Sequence, residues 1–257
     1  MEEMQDVTLI GLTAAFVFLL ILLAIMRKER LGHQWEIILS SVRMTIQLIL
    51  VGYILTYIFD NPNIWFSIIA LLLMLSFAVV NTFQRVGDVP ADMKKIVGLA
   101  MFIGTGITII YFIILVFKVE PWYQPQYFIP IAGMMIGNSM TGITLGIDGL
   151  LTGMKDNRSV IENALMLGGK PSLIMREITG RAFYQALLPT INSMMGMGIV
   201  FLPGMMTGQI LAGAPPLAAI KYQIAIMLGI MGSVTLTVYI VIKWGSRTFF
   251  NQRGQLK

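Results

Sequence analysis

Ile64-Trp-Phe-Ser-Ile-Ile-Ala-Leu-Leu-Leu-Met-Leu-Ser-Phe-Ala-Val-Val-Asn-Thr-Phe83 is a run of twenty residues without a charge. At about 1.5 Å of helical rise per residue, it crosses a hydrocarbon layer of about 30 Å. Apolar runs of comparable length recur at residues 8–26, 38–59, 96–117, 128–150, 186–212 and 219–242. In lipid every backbone amide must be bonded within its own segment, so such runs become helices. The sequence therefore predicts an all-α integral membrane protein of about seven transmembrane helices, with residues 1–257 forming a single transmembrane domain.

Composition supports this reading: 56% of the 257 residues are hydrophobic and 12% charged, against roughly a quarter charged in soluble domains. With no cysteine and His33 as the one histidine, disulfides, thiol redox chemistry and His-rich metal cages are excluded. The first run is not a secretory signal, because acidic Glu2, Glu3 and Asp6 precede it and it is too long. A net charge of +5 first points to nucleic acid, but its distribution does not. Arg27, Lys28, Arg30, Arg85, Lys94, Lys95, Lys155, Arg158, Lys170, Arg176, Arg181, Lys243, Arg247, Arg253 and Lys257 all fall on one side, whereas only Lys118 and Lys221 fall on the other. Cytoplasmic loops collect lysine and arginine. The N-terminus is therefore expected outside and the C-terminus in the cytoplasm, in a multi-pass plasma-membrane protein (the inner membrane of a bacterium) with no nucleic-acid partner.

Outer connections are short, while residues 151–185 form a long cytoplasmic loop with helical patterning. In Asn157-Arg-Ser-Val-Ile-Glu-Asn-Ala-Leu-Met-Leu-Gly168-Gly169, Ser159 and Glu162 have capping-box spacing and the glycines predict a helix stop. Pro171 suits the start of a second helix, with Leu173, Ile174, Ile178 and Ala182 in one stripe. That helix is expected to lie along the membrane surface and lead into the sixth span. The first is too short to stand alone, so it needs a groove to dock into. Its pattern partly resembles the loop by which ABC importer permeases engage their ATPase: Glu162, Ala164, Gly168 and Ile178 keep that spacing, although Leu-Pro after Ile178 is missing. The resemblance implies an ATPase docking surface at Glu162, Ala164, Leu165, Gly168 and Ile178. On the plainer reading Glu162 only completes the capping box, and the two are compatible.

Four segments carry a more specific likeness: Arg43-Met-Thr-Ile-Gln47-Leu, Pro130-Ile-Ala-Gly-Met-Met-Ile-Gly-Asn-Ser-Met-Thr-Gly142, Leu188-Pro-Thr-Ile-Asn-Ser-Met-Met-Gly-Met-Gly198 and Leu202-Pro-Gly-Met-Met-Thr-Gly-Gln-Ile-Leu-Ala-Gly213. Together they resemble the Fet-type permeases, described as iron-export ABC permeases and related to plant aluminium-tolerance half-transporters. The resemblance implies a separate nucleotide-binding ATPase that holds ATP and Mg, a permease homodimer, and outward transport of metal ions such as iron. No Gly-x-x-x-x-Gly-Lys-[Ser/Thr] motif occurs, so ATP hydrolysis would belong to the partner, and this chain is expected to bind no cofactor and catalyse nothing itself. The alternative is a stand-alone secondary or proton-coupled carrier, which needs acids along a relay. A lipid enzyme finds no paired carboxylates or His/Ser constellation.

Two strings recur in reversed order: Gly133-Met-Met-Ile-Gly137 with Gly204-Met-Met-Thr-Gly208, and Asn138-Ser-Met140 with Asn192-Ser-Met194. In antiparallel helices they fall at matching depths. They predict a transport path through Asn138, Ser139, Met140, Asn192, Ser193, Met194, Pro203 and Gly204, with Met134, Met135, Met205 and Met206 as thioether ligands. Pro203-Gly204 predicts a kink or break where unwound backbone lines a cavity. Plain packing accounts for the same strings, since methionine fills gaps, Gly-x-x-x-Gly permits close helices, and thioethers favour soft ions. Arg43 lies inside the second span with Gln47 one turn deeper. It either pairs, with Asp148 as candidate partner, or snorkels to the headgroups. Trp122, Tyr123 and Tyr127 have the character of an interfacial belt.

Overall fold

A computed structural model describes residues 8–86, 89–251 and 255–256, which places Glu2, Glu3, Asp6, Arg253 and Lys257 outside the described residues. The chain divides into two compact units, residues 1–61 with 211–213, and residues 62–210 with 214–257. In the first, α1 (Leu9–Ala15) and α2 (Val17–Lys28) are separated by Phe16 alone, whose N–H still reaches the Thr13 carbonyl at 3.1 Å. Thr8 caps α1 by accepting from the Gly11 N–H at 3.2 Å. A turn with Arg30 and His33 at positive φ then leads into α3 (Gln34–Asp60).

The second unit contains α4 (Ile64–Val86), a composite helix, α7 (Pro125–Asp156), α8 (Arg158–Met166), α9 (Pro171–Ile174), α10 (Arg176–Gly196), α11 (Gly204–Leu211) and α12 (Pro216–Gly245). The composite helix runs α5 (Ala91–Ala100), a π-helical stretch Met101–Thr105, α6 (Gly106–Tyr111) and a second π stretch Phe112–Val116.

Glycines fix the packing of α7 against its neighbours. A Cβ on Gly142 would come within 2.7 Å of the Val234 methyl, and one on Gly229 within 2.5 Å of the Met135 methyl. Ser139 and Ser233, both fully buried, share a hydrogen bond of 2.8 Å. The residue numbers of these pairs rise together along both helices, so α7 and α12 run parallel. On the α10 side Ile178 meets Gly153, Ala182 meets Gly149 and Ala186 meets Gly146; the rising and falling numbers make α10 antiparallel to α7. Small residues at 142, 146, 149 and 153 let the helices approach closely, as expected for membrane packing. Met74 against Gly133, and Asn81 donating to the Met140 sulfur at 3.2 Å, set α4 parallel to α7. Thr237 against Gly104 and Phe112 against Gly229 set the composite helix antiparallel to α12.

Of these approaches between helices, Gly104 comes nearest to a neighbour's backbone: a Cβ would lie 2.5 Å from Thr237 Cγ2 and 3.0 Å from its backbone nitrogen. Backbone cannot yield as a side chain does. Gly104→Val is expected to destabilise by about 2–3 kcal/mol, whereas Gly106→Ala, which meets nothing within 4 Å, stays near neutral. Thermal unfolding in detergent measures both, and equal midpoints would contradict this packing.

Among the described residues six helices are long and apolar enough to cross a membrane: Ile10–Lys28, Gln34–Asp60, Ile64–Val86, Ala91–Val116, Pro125–Asp156 and Pro216–Phe249. The expected sixth span, 186–212, is instead broken into α10 and α11. Because α7 and α12 run parallel, the chain between them has to return across the bundle, and α10 with α11 makes that return. The break falls where the sequence predicts it: Gly198 has φ +85°, the Gly198 N–H bonds the Phe201 carbonyl at 2.9 Å, and α11 begins directly after Pro203.

The second loop helix departs from expectation. Helix α10 does not begin at 186 after a surface segment; it is continuous from Arg176, and α7 continues to Asp156. Gly149 and Gly153 explain the extension by seating Ala182 and Ile178 beyond the expected ends of both spans. The connector therefore shrinks from 151–185 to residues 157–175.

Candidate functional site

Arg85, Lys94, Lys95, Lys155, Arg158, Lys170, Arg176, Arg181, Lys243 and Arg247 all lie at the end of the second unit where α4, α7 and α12 finish and α10 begins. At the opposite end Trp122 packs edge-on against Tyr123 with centroids 5.8 Å apart, and Phe117 stacks on Tyr222 at 5.2 Å. Basic and aromatic ends thus bracket the apolar helices, as membrane interfaces require.

Helix α8 is held at the basic end by Ile161, which is 1% exposed. The expected capping box does not form. The helix starts two residues early, with Ser159 inside it; Asn157 at the N-cap turns its side chain back to the Gly153 carbonyl at 2.8 Å. Glu162 pairs with Arg158 at 2.9 Å instead. The predicted stop is present in full. Gly168 has φ +83°, its N–H bonds the Leu165 carbonyl at 3.0 Å, and the Gly169 N–H bonds the Ala164 carbonyl at 2.9 Å, the Schellman arrangement. Ala164 and Leu165 are half-buried, and Ile178 is buried in the α7–α10 seam. What α8 leaves outward is a different apolar set, Val160, Met166 and Leu167, the last 89% exposed. The docking set expected from the sequence contains none of these three.

Continuing the α7–α10 register past Ala186 brings Asn192 level with the turn that carries Asn138, Ser139 and Met140, as the reversed strings predict. The two walls then sort by side chain. Asn138, Thr141, Leu145, Asp148 and Thr152 form an exposed stripe on α7. Arg181, Gln185, Pro189 and Asn192 form one on α10, and Pro189 offers no N–H to the Gln185 carbonyl, which leaves that acceptor toward the groove. Ser139 points the other way, into α12. Met140 takes the hydrogen bond from Asn81, a polar residue of α4 the sequence reading passed over. Ser193 is half-buried and Met194 exposed.

At the basic end the groove opens into a cavity of about 340 Å³, lined by Asp148, Asp156, Glu177 and Arg181 among others. Arg181 and Glu177 form an ion pair across one helical turn. Of the four expected thioether ligands, Met135 is fully buried against Gly229 and Met206 is buried, while Met134 and Met205 are half-buried. Among the described residues no group of three or more His, Cys, Asp or Glu side chains is placed to hold a metal. Arg43 and Gln47 belong to α3 of the first unit and Asp148 to α7 of the second; all three are exposed.

The helix break has one further polar feature. Gln223 of α12 is 7% exposed; its amide donates toward the Met197 sulfur at 3.8 Å, and its carbonyl oxygen is the one buried side-chain oxygen or nitrogen without a hydrogen-bond partner among the described residues. A buried acceptor left unpaired costs about 1–3 kcal/mol. It sits beside the unwound backbone of Met197 to Pro203, near the aromatic end.

Comparison with known proteins gives a family and several relatives. The model of the uncharacterised protein family UPF0014 matches residues 9–250. The Arabidopsis thaliana protein ALUMINUM SENSITIVE 3 is 35% identical over 246 residues, covering 95% of this chain and 88% of its own. The probable iron export permease protein FetB of Escherichia coli is 32% identical over 253 residues, 98% of this chain and 96% of its own. The UPF0014 membrane protein YjkA of Bacillus subtilis is 32% identical over 252 residues, 96% of this chain and 98% of its own. No solved structure matches.

Proposed function

The chain belongs to the uncharacterised protein family UPF0014, and from that premise we propose that it is the membrane-spanning permease subunit of an ATP-driven transporter that carries metal ions outward. It is a multi-pass membrane protein with six helices of spanning length and a broken return helix. The observation that carries the proposal is α8. It is a capped helix at the basic end, too short to be stable alone, that presents Val160, Met166 and Leu167 without cover. A separate ATPase, bearing the ATP and Mg this chain has no motif to bind, gives that face something to dock into. Iron is the substrate proposed on the likeness to the probable iron export permease.

The polar groove between α7 and α10 fits the transport path. Amide and hydroxyl side chains facing lipid along several turns are unfavourable, and a second copy of the chain facing the same groove would enclose them. The stand-alone carrier finds less support. Asp148, Asp156 and Glu177 are gathered at the basic end, and no acid lies on the groove walls deeper than Asp148.

Purification of the full chain from its native membrane in mild detergent tests the proposal. An ATPase is expected to co-purify; its absence under every mild condition would favour the carrier. Orientation is tested separately, since the basic end is proposed to be cytoplasmic. An impermeant thiol reagent applied outside is expected to label Asn61→Cys and to spare Asp92→Cys, both at exposed positions. The reverse pattern would invert the topology.

A further inference from the structure

On the other side of α10 from the groove, at the same basic end, lies a second cavity of about 1050 Å³ between the start of α10 and the end of α12. Arg176, Lys243 and Arg247 all line it, and no carboxylate does. Among the described residues none of the three takes part in an ion pair. Glu177, next in sequence to Arg176, lines the other cavity and is held there by Arg181. Lys243 donates to the Tyr239 hydroxyl at 2.5 Å and stands 4.8 Å from the centre of that ring, contacts that orient the ammonium without neutralising it. Three cations gathered around one cavity with no counter-charge repel one another, and an anion relieves that.

The lining is graded along the helix axes. The cations and the hydroxyls of Ser172 and Ser246 occupy the mouth, whereas Phe183 lies seven residues, about 10 Å, further into the bundle along α10. On α12, Ile242 lines the cavity beside Lys243, and Tyr239 lies about 6 Å deeper. A polar, cationic mouth over an aromatic and aliphatic floor matches a phosphate headgroup with its acyl chain, and basic pockets between membrane helices hold such headgroups. A free phosphate would leave the floor uncovered, and an acidic protein surface would not reach it. We propose that this cavity is a binding site for an anionic glycerophospholipid of the leaflet at the basic end. Its phosphate is held by Arg176, Lys243 and Arg247, and its acyl chain runs past Phe183 and Ile242. By bridging α10 to α12, the lipid would brace the helix that also forms one wall of the groove.

The test titrates the full-length chain in neutral detergent with phosphatidylglycerol, with phosphatidylcholine of the same acyl chains, and with inorganic phosphate, following thermal unfolding and lipid retention by native mass spectrometry. Phosphatidylglycerol is expected to bind saturably and raise the melting temperature, phosphatidylcholine to do neither. Arg176→Gln with Arg247→Gln should weaken the binding about thirtyfold, from roughly fivefold per cation, while Lys118→Gln with Lys221→Gln at the opposite end leaves it intact. Ser172→Glu, at an exposed position, keeps every cation but adds a carboxylate at the mouth, and is expected to weaken binding without loss of fold. Equal binding of the two lipids, or unchanged phosphatidylglycerol binding in both mouth variants, would overturn the site. Displacement of the lipid by millimolar inorganic phosphate would overturn the lipid assignment and leave a soluble-phosphate site. Co-purification of an ATPase does not enter any of these readouts, so the site and the transporter reading fail separately.

Discussion

A chain carrying Met166→Asp and Leu167→Asp is expected to purify folded but alone, without the ATPase proposed to accompany the wild type. Both side chains are exposed, at 76% and 89%, so the substitutions remove no contact inside the chain. The capping of α8 depends on Gly168 and Gly169 backbone amides, and Ile161 continues to anchor the helix. What is lost is apolar surface available to a partner. Full burial of such side chains contributes about 1.5–3 kcal/mol each, so two of them account for about two to four orders of magnitude in affinity. Interface centres tolerate new charge poorly when they are dry. The measurement is the yield of ATPase retained through affinity purification, with circular dichroism to confirm unchanged helix content. Full retention of the partner would move the docking surface off α8 and onto another part of the basic end, Leu173 of α9 being the next exposed apolar residue there.

The same helix shows how sequence reading succeeds and where it stops. The stop at Gly168-Gly169 was legible because a positive φ and a helix end make one local demand, and glycine meets it. The start was misread because a capping box and an i,i+4 ion pair draw on the same glutamate. Whether Glu162 reaches back to Ser159 or across to Arg158 depends on where the preceding helix ends, and that is a tertiary matter. Ile178 was assigned to docking by its motif spacing, yet Gly153 on α7 provides the notch that takes it. Nothing in the local pattern distinguishes an isoleucine offered to a partner from one seated on a glycine 25 residues earlier. The spans themselves were legible, because twenty apolar residues have few alternatives in any fold. The broken sixth span was legible from Pro203-Gly204. The π stretches at Met101–Thr105 and Phe112–Val116 were not: they coincide with the close approaches of Gly104 to Thr237 and Phe112 to Gly229, which are properties of the pair of helices and not of either sequence.

Asn138→Leu combined with Asn192→Leu is expected to abolish metal transport, a loss of at least about a hundredfold, while leaving the permease folded and bound to its ATPase. The reversed Asn-Ser-Met strings raised the idea of a path, and the register brings Asn138 and Asn192 to similar depth on the two walls of the groove. Both asparagines are exposed on groove walls that face the same side, whereas Ser139 turns to Ser233 and Met135 to Gly229. The chemistry of the path therefore shifts from sulfur toward oxygen: the amides, Thr141 and the carbonyl freed by Pro189 predominate over buried thioethers. Oxygen donors suit divalent cations that a thioether cage would hold poorly, and neutral donors without a three-carboxylate cluster bind loosely enough for an ion to leave. Leucine at these exposed positions keeps the branch at Cγ and suits an apolar membrane, so stability should hold or rise. That separates a path from a structural role. The assay is ATP-dependent metal uptake into inverted vesicles, with basal ATPase activity and melting temperature measured on the same preparations. Lost transport with retained ATPase and melting behaviour places the ion beside Asn138 and Asn192. Undiminished transport would show that the groove is a packing surface between copies, and the ion would have to cross elsewhere, with the unpaired Gln223 oxygen beside the helix break the next polar group to examine.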